Sequence, residues 1–316
     1  TWINFTTDIE LSVSDPSNTS GINWTRYCIG TGCDPSTGTD YISPVNFAEG
    51  IHHFRYQSQD NVGNIESTNE LIVRIDLSDP NTFDDFANND TWIATDPTIT
   101  ITPQDNEAPQ NSGINWTRYC IGDSTCNPTN NYIAPLTISA ENITYIRYRS
   151  RDIAGNTQDT RTVLIKLDKT GPLCSGASMT IENGAAYISD TILNFNYSGF
   201  SDPLSGILRY HYNYLDSGNY INPDNDLDGV LMSASQGTNQ IYVWAEDNVG
   251  NLGCSINDSI VVDTIAPTFD TFEKESIDEN SNGALSVNTT ITDATTWVQG
   301  VPTIRYRYGT GAWSNY

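Results

Sequence analysis

The nine-residue segment GINWTRYCI occurs twice, letter for letter, at 21–29 and 113–121, an offset of 92 residues (113 − 21). A second motif follows it at the same offset: Asp60, Gly63 and Asn64 return as Asp152, Gly155 and Asn156. It returns once more, 95 residues on, as Asp247, Gly250 and Asn251. A chain that copies itself at this interval is built from repeated modules of one fold. Each copy runs through a hydrophobic strand into a linker that opens on Asp and closes on Pro, at 76–80, 168–172 and 263–267. The expected repeats are therefore 1–80, 81–171, 172–266 and 267–316.

The first repeat enters late, since Thr1, Trp2 and Ile3 match Thr91, Trp92 and Ile93. The fourth stops shortly after its counterpart of the GINWTRYC strand, so the chain reads as an excerpt of a longer protein. Half a sandwich at 267–316 would leave Leu285, Val287 and Ile291 bare and strand edges open. Two expectations follow: the parent chain continues, or another molecule supplies the missing strands, which would make this a filament subunit.

Within a repeat the hydrophobic period is two. Ile9, Leu11 and Val13 alternate with polar residues, as do Leu193, Phe195 and Tyr197, and Leu285 and Val287. Residues 145–152 (YIRYRSRD) and 163–167 alternate in the same way. Such runs, bounded by Gly, Asn, Asp and Pro, are half-buried antiparallel strands. About seven of them per repeat predict an all-β fold of tandem immunoglobulin-like sandwiches. The D-x-x-G-N motif is expected to be a hairpin turn, with glycine taking positive φ and the Asp and Asn bonding turn amides. Calcium binding by these aspartates is the rival reading.

Six cysteines fall into three pairs by position: Cys28 with Cys33, Cys120 with Cys126, and Cys174 with Cys254. An even count with one short spacing used twice points to disulfides and an oxidising compartment. Acidic residues outnumber basic ones 39 to 14, for a net charge of −25. That balance argues against nucleic acid, whose phosphates need clustered cations, and against anionic lipid surfaces. No run approaches the ~20 apolar residues of a membrane-spanning helix.

The order SGINWTRYCIG, Tyr-x-x-Pro, an aromatic strand ending in D-x-x-G-N, and Val-x-Ile-Asp-x-x-x-Pro resembles the immunoglobulin-like repeats of large bacterial and archaeal cell-surface proteins. Repeat three departs most, with GILRYHY at 206–212 where the Trp-Tyr-Cys strand stands elsewhere. The resemblance covers nearly the whole chain. It implies a secreted or cell-surface location and a structural or adhesive role as spacer, stalk or surface-layer material. Neighbouring copies, other surface molecules or glycans would be the partners. The alternative is a carbohydrate-binding accessory module of a secreted hydrolase, in which Trp24, Trp116, Trp244 and Trp313 stack on sugars. Most of these tryptophans are expected to be core anchors instead.

No catalytic fingerprint is present: there is no GxSxG, HExxH, P-loop or dinucleotide motif. His52, His53 and His211 are expected to be exposed strand residues. Repetition itself argues against an enzyme. One metal-like constellation occurs at Asp224, Asp226 and Asp228, followed by Gly229. Carboxylates at positions 1, 3 and 5 with glycine at 6 match the first half of an EF-hand loop, so calcium is expected. Position 12 is Ser235 rather than glutamate, and the bland reading is a solvated acidic turn. Nine N-x-[ST] sequons, at Asn4, Asn18, Asn23, Asn89, Asn115, Asn142, Asn196, Asn257 and Asn288, make N-linked glycans the other expected modification.

Overall fold

A computed structural model describes residues 1–15, 20–105, 111–214, 221–222, 230–274, 287–292, 305–306 and 314–315. The chain divides into two compact units, 1–169 and 170–316. The described residues are strands, turns and two short 3-10 segments, with no α-helix among them.

The first unit holds two five-stranded sheets of one design. In the first, the order is Trp2–Ile3, Asn69–Ile75, Gly50–Asp60, Ile22–Ile29, Thr39–Asp40. In the second it is Trp92–Ile93, Arg161–Leu167, Asn142–Asp152, Ile114–Gly122, Asn130–Asn131. Each short N-terminal strand joins its neighbour in parallel, and all other pairs are antiparallel. Facing the first sheet is the pair Thr7–Ile9 and Val45–Phe47. Facing the second are Thr98–Ile99 with Leu136–Thr137, and Phe83–Asp84 with Ile101–Thr102.

The second unit repeats the order with Tyr187–Ile188, Leu252–Val262, Gly237–Asp247, Ile207–Asn213 and Ile221–Asn222. Ser178–Ile181, Ile192–Ser198 and Val230–Ser233 form its opposing sheet. Beyond it, Thr268–Lys274 pairs with Val287–Thr292.

Strand alternation places the cores. Along Asn142–Asp152, Ile146, Tyr148, Ser150 and Asp152 are buried while Arg147, Arg149 and Arg151 point the other way. Val163, Ile165 and Leu167 join Ile99, Ile101, Leu136 and Ile138 in the same cluster. Phe47, Phe54, Val73 and Ile75 fill the first repeat, and Leu193, Phe195, Tyr197, Ile241, Val243 and Val262 the third. Each of these large side chains contributes about 1.5–3 kcal/mol on burial. Ile165→Ala, at full burial, would remove roughly 2–5 kcal/mol with its cavity.

One irregularity recurs in all three large sheets. Ile22 pairs with Asp60 but Trp24 with Gln59, so Asn23 is the extra residue of a β-bulge. The same shift sets apart Asn115 and Leu208. Disulfides join Cys28 to Cys33 and Cys120 to Cys126 across separations of 5 and 6 residues, and Cys174 to Cys254 across 80.

Candidate functional site

The D-x-x-G-N motif forms the same clamp three times. In repeat two, Asp152 Oδ1 accepts hydrogen bonds from the backbone N–H of Gly155 (2.5 Å) and Asn156 (2.7 Å). Its Oδ2 accepts from Asn156 Nδ2 at 2.7 Å. Asp60 binds Val62, Asn64 and the Asn64 side chain, and Asp247 binds Val249, Asn251 and the Asn251 side chain. Gly155 has φ 113°, a conformation that costs other residues steric strain. The turn expected from the sequence is present in each case.

In repeat two the turn gains a further role. Asp76, at the exit of Asn69–Ile75, reaches forward from repeat one. Its Oδ2 accepts from Ser112 N–H (2.7 Å), and its carbonyl accepts from Asn156 Nδ2 (2.8 Å). Asp105 Oδ2 accepts from Gly113 N–H at 2.7 Å. Oxygens of Asp76, Asp105 and Asp152 all lie within 4.8 Å of one another, and all three residues are buried. Nearby, Thr82 donates to Ser150 Oγ (2.6 Å), and Gln158 Nε2 donates to the Thr82 carbonyl (2.9 Å).

Burial pushes the Asp152 carboxyl above the usual carboxylate range; the Asn156 and Gly155 bonds oppose it, and the charge of Asp76 adds to it. Neither Asp76 nor Asp152 forms an ion pair with Lys, Arg or His among the described residues. A set of carboxylate oxygens this close suits a hard divalent cation of the calcium class. Sequence reasoning noted Asp152 and the Asp76 linker but not their meeting. The available signal was recurrence: a linker Asp, an Asp before the Gly-Ile strand and the turn Asp occur again in sequence as Asp168, Asp202 and Asp247.

Asp224, Asp226 and Asp228 lie outside the described residues, as do Asn18, Trp313 and the side chain of Asn288. Of the other sequons, Asn4, Asn23, Asn89, Asn115, Asn142 and Asn257 are exposed and Asn196 is half-buried. Asn23 and Asn115 are the bulge residues.

Two expectations are corrected. His211 is not exposed: it is buried, 2.6 Å from Glu246 Oε2 and stacked on Trp244 with centroids 5.7 Å apart. Trp24 and Trp116 are not core anchors either. Both lie on the outer sheet face, with the guanidinium groups of Arg26 and Arg118 over their rings at 4.8 and 4.5 Å. Trp244 is buried on that same outer face, opposite in parity to the core residues Val243 and Ala245. Parity held the signal, because Trp24 alternates in step with Arg26, a residue that a small sandwich core excludes.

No protein-family model matches the chain, and no curated protein matches it. Among solved structures, the fibronectin(III)-like modules of Clostridium thermocellum CbhA are similar at 14% identity and a TM-score of 0.30, covering 57% of this chain and 93% of that one. The D00-D0 domain of intimin gives 11% identity and a TM-score of 0.28, covering 57% and 98%. Domains 7, 8 and 9 of the S-layer protein SbsC give 11% and 0.20, covering 67% and 69%. Likenesses at this level assign no function to the chain.

Proposed function

We propose that the chain is a non-catalytic, extracellular repeat region of a cell-surface protein or surface filament, with a structural or adhesive role. The observation that carries this reading is the join between the first two repeats. There the linker carboxylate Asp76 and its carbonyl are bonded into the turn and strand entry of the following module. Such a join passes orientation from one repeat to the next, which is what a spacer or stalk requires.

Calcium belongs to the proposal as the cation of Asp76, Asp105 and Asp152, with the loop of Asp224, Asp226 and Asp228 as a second candidate. N-linked glycans on the exposed sequons are proposed likewise. A neutral-sugar module would need open aromatic platforms, and the guanidinium groups over Trp24 and Trp116 cover one face of each ring.

The test is residual dipolar coupling on the full chain, with and without calcium. With calcium, residues 1–80 and 81–169 are expected to share one alignment tensor, and chelation to loosen the agreement. Two independent tensors under both conditions would overturn the reading.

A further inference from the structure

The outer face of the second repeat carries four arginines on two adjacent strands. Arg118 stands directly opposite Arg149, Trp116 opposite Arg151, and Cys120 opposite Arg147. None of the four forms an ion pair among the described residues. Like charges placed directly across strands are destabilising. The cluster is out of keeping with a chain of net charge −25 that has only 14 Lys and Arg. With these four set aside, the remainder carries −29 (−25 − 4).

The same positions in the other repeats are self-neutralised. In repeat one they are Arg26, Arg55, Gln57 and Gln59, and Arg26 pairs with Asp40 at 2.6 Å while Arg55 lies 3.9 Å from Glu70. Arg118 instead faces Asn131 where Arg26 faces Asp40, and Arg147 faces Thr162 where Arg55 faces Glu70. The four-residue face with its two partners thus sums to zero in repeat one (2 − 2) and to +4 in repeat two. In repeat three the same four positions are His211, Tyr242, Trp244 and Glu246, and Glu246 takes a fork from Arg209, which stands at the Trp116 position, at 2.8 and 2.9 Å. Two acids have been lost and two arginines gained in one module alone.

The arginines are also held in place. The Nε atoms of Arg118, Arg147 and Arg149 are buried without a hydrogen-bond partner, so their stems are packed. Arg147 Nη1 donates to the Cys126 carbonyl (2.6 Å), Arg151 Nε to the Gly155 carbonyl (3.1 Å), and Arg118 lies over Trp116. Asp123, an acid that senses Arg147, is already bonded by Thr125 and makes no ion pair among the described residues. Along the strand, Arg147, Arg149 and Arg151 follow at intervals of about 6.7 Å. Partly desolvated guanidinium groups fixed in a row favour carboxylate or sulfate oxygens as partners.

We propose that this face binds a linear polyanionic polysaccharide, laid along Asn142–Asp152 with its acidic groups on Arg147, Arg149, Arg151 and Arg118. A row of charges on a sheet face matches an extended chain. A protein partner would instead seek a charge-depleted centre. A second copy of this chain would bring its own −25 against the −29 carried by the rest of this one.

The test titrates the full chain with sodium polygalacturonate, dextran sulfate and neutral dextran by calorimetry at low and at 0.3 M salt. One or both polyanions should bind, weaken with salt and leave dextran inert; the pair distinguishes carboxylate from sulfate preference. Asn131→Asp with Thr162→Glu installs the acids of repeat one without removing an arginine, and should cut affinity at least tenfold. Arg149→Gln with Arg151→Gln should do the same, while Arg26→Gln with Arg55→Gln should change little. Circular dichroism verifies folding of each variant. Failure of both polyanions to bind at low salt would overturn the proposal, as would equal losses from the repeat-one variant. Sedimentation showing salt-sensitive self-association through these arginines, without polysaccharide binding, would replace it with a contact between copies.

Discussion

Asp60 and Asp152 open the same five-residue turn, make the same kinds of bonds, and have carboxyl groups displaced in opposite directions. For Asp60, slight burial pushes upward but is outweighed by bonds from the Asn64 side chain and the Asn64, Val62 and Gly63 N–H groups, so its pKa falls below the usual value. For Asp152, burial wins and the Asp76 charge adds to it, so its pKa rises. The difference comes from the linker of the preceding repeat, which covers Asp152 and brings a second carboxylate beside it. A repeated motif therefore fixes a local shape, and its chemistry depends on what the neighbouring module lays over it.

The largest test of this contrast is deletion of each carboxylate. Asp152→Ala leaves the Gly155 and Asn156 donors without their acceptor in a buried site, at a cost of about 3 kcal/mol. Asp60→Ala is expected to cost less, because water reaches that turn. Equal shifts in urea midpoints for the two variants would break the comparison.

A sharper control lies in the small disulfides, which close loops of nearly equal length in both repeats. Chain entropy gives about 2 kcal/mol for either staple. Cys28→Ser with Cys33→Ser should thus match Cys120→Ser with Cys126→Ser in chemical denaturation. A large inequality would mean that the repeats differ generally and not at the turn alone.

The smallest effect is in pH. The raised folded pKa of Asp152 gives stability that is present below its unfolded value of about 3.9 and lost as pH rises through the folded one. Asp60 has the opposite sign: its contribution is present above about 3.9 and lost as pH falls through its depressed folded value. Carboxyl-detected NMR of the calcium-free chain should show Asp152 titrating above Asp60. Added calcium should pull Asp152 downward and leave Asp60 alone. Identical titrations, or calcium acting on both alike, would remove the distinction.

Much of the fold was legible because strand alternation writes burial into sequence. Tyr148 and Ile146 had to share a face, with Arg147 and Arg149 on the other. The outward position of Trp24 was legible by the same rule, through its parity with Arg26, but large aromatic size suggested the core. His211 was harder to place. Its burial depends on Glu246 and Trp244, which arrive from a strand 35 and 33 residues away.

The sequence alone determined the 92-residue offset of the copied motifs, the turn at each D-x-x-G-N and the two-residue period, because these rest on backbone preference and on neighbours in the chain. Only the tertiary structure decided that Asp76, Asp105 and Asp152 converge, and that four arginines share a face from which the balancing acids are missing. Both facts depend on which strands stand side by side and which linker crosses which turn. Charge interacts through space, so its meaning stays hidden until distant residues are brought within a few ångströms of each other.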